Sequence, residues 1–266
     1  MNLEIIKNKI FNSKNLSDIE SGYVFDLIMS GKISEIEISG ILIALKIKSE
    51  SKEEILGAAK SMREKCINIK GIDDAIDTCG TGGDMSGTLN ISTSAAIVAA
   101  SAGAKIAKHG NRSISSKSGS ADMLEKLGYK ISDDLQYLKS TYKKNNFCFL
   151  FAQYHHSSMK YVMNVRKNLQ TRTIFNLLGP LTNPAGAKRQ LLGVYDEKWV
   201  LIHCETLKNL GSTRAMVVHG KDGLDEISLS GITKIAELKN NTIKEYEFDP
   251  REYGYEYIEN KEIKGG

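Results

Sequence analysis

The chain has 266 residues, 41% of them hydrophobic and 26% charged, which is the balance of a globular protein long enough for one large domain or two unequal ones. Its net charge of +4 favours anionic ligands without by itself arguing for nucleic acid. No apolar run approaches the roughly 18–20 residues of a membrane span. The N-terminus lacks the apolar stretch of a secretory signal, and Cys66, Cys79, Cys148 and Cys204 show no metal-ligand spacing, so a reduced, cytoplasmic protein is the expectation.

In chain order, residues 1–70 read as a helical domain. Ser17–Glu20, Ser34–Glu37 and Ser51–Glu54 each have the spacing of a capping box, and apolar residues at helical intervals follow, such as Ile38, Ile41, Leu42 and Leu45. Gly31 stands where a helix end needs positive φ. From residue 71 to 266 the pattern becomes α/β. Strands are expected at Ala75–Cys79, Ala104–Ala107, Phe147–Ala152, Gln190–Tyr195 and Arg214–His219. Helices are expected at Ile91–Ala102, Ala121–Leu127, Leu135–Lys144, Met159–Leu169 and Glu197–Leu210. Strand, helix and strand in succession imply a mainly parallel central sheet. Helices between about 135 and 185 are candidates to pack on the N-terminal domain.

The chemistry concentrates between Asp77 and Ser120. Asp77-Thr-Cys-Gly-Thr-Gly-Gly-Asp84 places three glycines in four positions, which permits close backbone approach and a cradle of N–H groups. It leads through Thr88, Asn90, Ser92 and Thr93 into a helix start, a natural anion site. It is neither a Walker motif nor a dinucleotide fingerprint, and a plain crossover turn is the alternative. Lys108-His-Gly-Asn-Arg112 follows a strand and continues to Ser120. Lys108 offers a point charge, Arg112 a bidentate fork and the serines neutral donors for phosphate oxygens. A basic surface turn or a nucleic-acid patch remains open, although no aromatic residue interleaves for base stacking. Asp222-Gly-Leu-Asp-Glu226 reads alone as an exposed acidic turn, and Arg166 as a helix-surface arginine.

These segments carry a family resemblance. DTCGTGGD, then LNISTSAAIVAASAGAKIAKHGNRSISSKSGSADMLEKLG, resembles the anthranilate phosphoribosyltransferases. So do VRKNLQTRTIFNLLGPLTNPAGAKRQLLGVY and HGKDGLDEISLSGITKIAEL. The resemblance implies transfer of the 5-phosphoribosyl group of phosphoribosyl pyrophosphate to the amine of anthranilate, with magnesium, in a homodimer. It implies that Gly80, Gly83, Asp84, Thr88, Asn90, Ile91, Ser92 and Thr93 line one wall around phosphoribosyl pyrophosphate. Lys108, His109, Gly110, Asn111, Arg112, Ser113, Ile114, Ser115, Ser116 and Ser120 would line the facing wall. Gly80, Asn111 and Arg166 would meet anthranilate, and Ser92, Asp225 and Glu226 would hold Mg2+. Lys108, Asp84 and Arg166 are the expected catalytic residues. Two other functions stay open on sequence: a non-catalytic nucleic-acid-binding relative and a pyrimidine nucleoside phosphorylase.

The pattern departs from the family in two places. Gln153, Ser157 and Asn164 stand where similar chains have proline, each loss loosening a loop by about 0.4–1 kcal/mol; His155 and His156 lie in the same stretch. Similar chains also continue beyond a glycine pair such as Gly265-Gly266 into further helices. An α/β domain lacking its C-terminal part, with apolar surface exposed, is therefore expected.

Overall fold

The computed structural model describes residues 1–72, 74–84, 87–112 and 119–265. Four helices open the chain: α1 (Leu3–Phe11), α2 (Asp18–Met29), α3 (Glu35–Lys48) and α4 (Lys52–Glu64). Next come β1 (Ile76–Gly80), α5 (Ile91–Ser101), β2 (Ile106–Gly110), α6 (Ser120–Lys126), α7 (Leu135–Asn145), β3 (Phe147–Phe151) and the single turn α8 (Ala152–His155). Helices α9 (Lys160–Leu169) and α10 (Phe175–Leu178) precede β4 (Arg189–Gly193), α11 (Trp199–Asn209), β5 (Arg214–Gly220), β6 (Thr233–Lys239) and β7 (Thr242–Phe248). No described helix is long and apolar enough to cross a membrane.

The chain divides into two compact units, each built from two segments. The helical unit comprises Met1–Ile67 and His156–Thr182. All three capping boxes form, with each Ser hydroxyl accepting from the backbone N–H of the Glu three residues on and each Glu accepting from the Ser N–H. Glu54 is fully buried because it does more. Its Oε1 accepts from Leu16 N–H at 2.9 Å and its Oε2 pairs with Lys48 Nζ at 2.6 Å, tying α4 to the end of α3. Gly31 has φ +68°, and a Cβ there would lie 2.5 Å from the Tyr161 ring.

The α/β unit comprises Asn68–His155 and Asn183–Gly266. Of the helices expected to pack on the N-terminal domain, residues 135–155 thus belong to the α/β unit and 156–182 to the helical unit. The unit holds a seven-stranded sheet in the order β3-β2-β1-β4-β5-β6-β7. Strands β1 to β5 pair in parallel, and β6 and β7 extend the sheet as antiparallel strands. Side chains alternate through it as a strand's two-residue period requires. Ile106, Phe147, Phe149 and Phe151 pack with Ala96 and Ala100 of α5 and with Ala121 and Leu124 of α6. Ala107, Cys148 and Leu150 pack with Leu138 and Tyr142 of α7. Leu89 and Val98 remain exposed beside Ala95, Ala99 and Ala102, in a shallow apolar groove along α5.

After β1 the chain lays β2 on one side of it and later β4 on the other. In parallel sheets, the crevice beyond the carboxyl ends of strands at such a reversal is where ligands bind. The ends in question are Gly80 of β1 and Gly193 of β4, which are register partners.

Candidate active site

Loop 81–90 leaves β1 at this crevice and feeds α5. Gly82 and Gly83 have φ of +64° and +78°, values that disfavour other side chains. The loop after β5 carries Asp225 and Glu226 to the same place. It is braced by Ser228, whose hydroxyl donates to Asp222 Oδ2 at 2.6 Å and whose N–H donates to Thr233 Oγ1 at 2.9 Å. A Cβ at Gly193 would lie 1.5 Å from the Asp225 carbonyl oxygen, and one at Gly80 2.4 Å from Asp225 Oδ2. Both strand ends must therefore be glycine for the acidic loop to seat.

The acidic pair meets the glycine loop through backbone donors. Gly82 N–H donates to Asp225 Oδ2 at 2.8 Å, and Ser92 N–H donates to Glu226 Oε1 at 3.1 Å. Burial, then the neighbouring Asp84, pushes the Asp225 carboxyl up to about 6. Burial, then Asp225, pushes Glu226 up to about 8. Asp84, Asp225 and Glu226 thus crowd three carboxyl groups whose full ionisation a bound cation would favour. Among the described residues no three acidic, histidine or cysteine side chains form a protein-only metal cage. Magnesium binds through one or two carboxylates and completes its shell with water and phosphate oxygens.

The two walls expected from sequence meet at Thr93. Its hydroxyl donates to Asn90 Oδ1 at 2.6 Å and lies 3.0 Å from the Ser120 hydroxyl, so the starts of α5 and α6 come together. Ile91 opens α5. Thr88 is pinned from the far end of the chain: it bridges to Lys264, while Leu89 N–H donates to Ile263 O at 2.8 Å and Gly265 N–H to Gly87 O at 2.9 Å. Gly110 ends β2, and a Cβ there would meet the Phe149 ring at 2.9 Å.

Lys108 differs from its expected role. A strand buried on both faces takes it inside, where it is 1% exposed. Its Nζ donates to Thr78 O and, at 3.2 Å, to Ser92 Oγ. Burial lowers its pKa while Asp77 opposes that fall. Lys108 therefore braces the N-terminus of α5 from beneath, and its charge reaches the crevice through Ser92. Asp77, fully buried, accepts from His109 N–H at 3.0 Å and from Gln190 Nε2 at 3.2 Å. The parts of Asp77, Gln190 and Gly193 are not legible in sequence, since each depends on a strand neighbour distant in the chain.

Arg112 also differs. Its guanidinium is committed to Asp122 at 2.9 Å and Glu125 at 2.6 Å, which raise its pKa, so its fork is engaged within the protein. Asn111 Oδ1 accepts from Arg112 N–H at 2.8 Å and from Gln153 Nε2 at 3.4 Å. Ser113, Ile114, Ser115 and Ser116 lie outside the described residues. In the helical unit, the half-buried Arg166 guanidinium lies 5.7 Å over the Phe175 ring and forms no ion pair among the described residues. Burial lowers its pKa, so an anionic partner would be welcome there. His155 and His156 are buried, with His156 Nε2 4.0 Å from Cys66 Sγ.

Comparison with known proteins agrees with this geometry. Residues 3–66 match the helical bundle domain of a glycosyl transferase family, and residues 72–266 match its a/b domain. The chain is 50% identical over 264 residues to anthranilate phosphoribosyltransferase of Clostridium kluyveri, covering 99% of this chain and 78% of that one. It superposes on the crystal structure of the Thermus thermophilus enzyme of that name with a TM-score of 0.91 at 39% identity, covering 98% of this chain and 78% of that one. It also superposes on the Saccharomyces cerevisiae enzyme in complex with PRPP and Mg, with a TM-score of 0.88 at 29% identity, covering 99% and 77%.

Proposed function

This chain belongs to the anthranilate phosphoribosyltransferase family, and from that premise we propose that it transfers the 5-phosphoribosyl group of phosphoribosyl pyrophosphate to the amine of anthranilate. The observation that carries the reading is the convergence of the Gly82 and Ser92 N–H groups with Asp225 and Glu226 at the carboxyl ends of β1 and β4. Backbone donors suit phosphate oxygens, and the buried acidic pair suits a hard cation. Asp225 and Glu226, with the Ser92 hydroxyl, would hold Mg2+. When bound, Mg2+ would neutralise charge on the pyrophosphate.

In the reaction the ribose C1–O bond breaks and pyrophosphate leaves with the electron pair. The aniline nitrogen forms the new C1–N bond with its lone pair and then loses a proton. The nucleophile is neutral and already reactive, so the chain's residues act mainly by orientation and by stabilising the leaving charge. Gly80, Gly83, Asp84, Thr88, Asn90, Ile91, Ser92 and Thr93 would surround phosphoribosyl pyrophosphate. Lys108 would act from beneath through Ser92. The Asn111 amide would meet anthranilate in the α/β unit, and the Arg166 guanidinium, in the helical unit, carries a charge suited to a carboxylate. Exposed Ile5, Ile19, Ile36 and Ile47 on the helical unit support a homodimer, which sedimentation at twice the chain mass would check. A reduced, cytoplasmic setting is consistent with four buried free cysteines.

The test is fluorescence. Adding phosphoribosyl pyrophosphate to the protein with anthranilate should quench anthranilate emission only when Mg2+ is present. Unchanged emission, together with phosphorolysis of thymidine or uridine, would replace this reading with that of a nucleoside phosphorylase.

A further inference from the structure

Two carboxylates sit on backbone N–H groups that a phosphate would need. Asp225 holds Gly82 N–H within the glycine loop, and Glu226 holds Ser92 N–H in the first turn of α5. First-turn donors have no partner within their own helix, and they carry the positive end of its dipole. Here the protein's own carboxyl oxygens fill them. Asp84 adds a third negative charge close to Asp225. The loop is fixed against the strand ends, because Gly80 and Gly193 admit Asp225 where any Cβ would collide with it.

A polyanion that arrives alone therefore meets filled donors and like charge. One that arrives with a divalent cation brings the group that draws the two carboxylates off those donors. We propose that Asp225 and Glu226 decide which ionic form of the substrate is accepted: they close the Gly82 and Ser92 donors to a free pyrophosphate-bearing anion and release them to its magnesium complex. The inference rests on the reading of this crevice as the phosphoribosyl pyrophosphate site. It differs from a simple ligand role in one respect. If the pair only bound the cation, removing it would weaken magnesium-dependent binding and leave metal-free binding unchanged. If the pair also guards the donors, removing it must improve metal-free binding.

Inorganic pyrophosphate is the probe, titrated calorimetrically into the full chain with excess Mg2+ or with a chelator. Wild type should bind it about 10- to 100-fold more tightly with Mg2+, the scale of one charge-assisted hydrogen bond. Without metal, the Asp225→Ala, Glu226→Ala protein should bind it about tenfold or more tightly than wild type does, and should gain little from Mg2+. Metal-free affinity equal to or weaker than wild type overturns the proposal and leaves the site reading standing. No binding to wild type even with Mg2+ overturns both. Glu226→Ala alone frees the Ser92 donor only, so it carries the same comparison if circular dichroism shows the double variant to be poorly folded.

Discussion

Asp225 and Glu226 are held where burial and neighbouring carboxyl groups, Asp84 for the first and Asp225 for the second, oppose their charge. Their carboxyls, at about 6 and about 8, stand above the ordinary values of 3.8 and 4.5. A group whose pKa is raised by folding contributes stability that is present below its unfolded pKa and is lost as pH rises through the folded one. Without metal, the melting temperature should thus fall between about pH 4 and pH 8. Asp225→Asn with Glu226→Gln removes the repulsion but keeps oxygen acceptors for Gly82 and Ser92. That protein should be about 1–3 kcal/mol more stable than wild type at pH 8, with a flatter pH slope. Its magnesium-dependent transfer rate should fall about 100-fold or more, since the leaving charge loses its cation. Melting curves in chelator from pH 4 to 8.5 check the first part and the fluorescence assay the second. Parallel slopes for the two proteins would show that the charges are not strained. This strain was invisible in the sequence, where Asp222–Glu226 reads as a solvated turn. Lys108 shows the converse: its position was legible, but its direction followed from a strand covered on both faces.

At the scale of elements, much was legible because it is local. A capping box needs only four residues, and all three form. The glycine loop between β1 and α5 was legible for the same reason. The β6–β7 hairpin was not among the expected strands. A signal was present in Asn240 and Asn241, which both take positive φ and make the turn. The loop after β5 was harder, since its seat is made by strands far away in the chain. Gly193 is the clearest case. It ends β4, and its missing Cβ is the space the Asp225 carbonyl occupies. Gly193→Ala should cost about 1–3 kcal/mol by overpacking. It should also displace the acidic loop, so that magnesium no longer strengthens pyrophosphate binding. Denaturant melts and calorimetry read the two effects. Loss of stability with the magnesium effect intact would show that the loop reseats elsewhere.

At the scale of the whole molecule, the chain leaves the helical unit after Ile67, returns at His156 and leaves again after Thr182. A boundary at residue 70 follows the change of texture in the sequence, but periodicity cannot reveal a later segment returning to an earlier unit. The returning segment supplies structure that α1 to α4 lack. Phe175 packs edge-on against Phe25 with ring centroids 5.6 Å apart. Asn164 Nδ2 donates to Glu35 Oε2 at 2.7 Å, and Leu181 O accepts from Arg63 Nε at 2.6 Å. Tyr161 lies against Gly31 so closely that no Cβ fits between them. Residues 1–70 alone would expose Phe25 and leave the Arg63 guanidinium, half-buried in the unit, without that carbonyl. They should therefore melt at least about 10 °C below a chain in which residues 1–67 are joined by a flexible linker to residues 156–182, as the loss of a few kcal/mol implies for so small a unit. Helical circular dichroism followed against temperature measures this. Equal melting temperatures would mean that the first four helices hold their own core and that the returning segment merely rests on it.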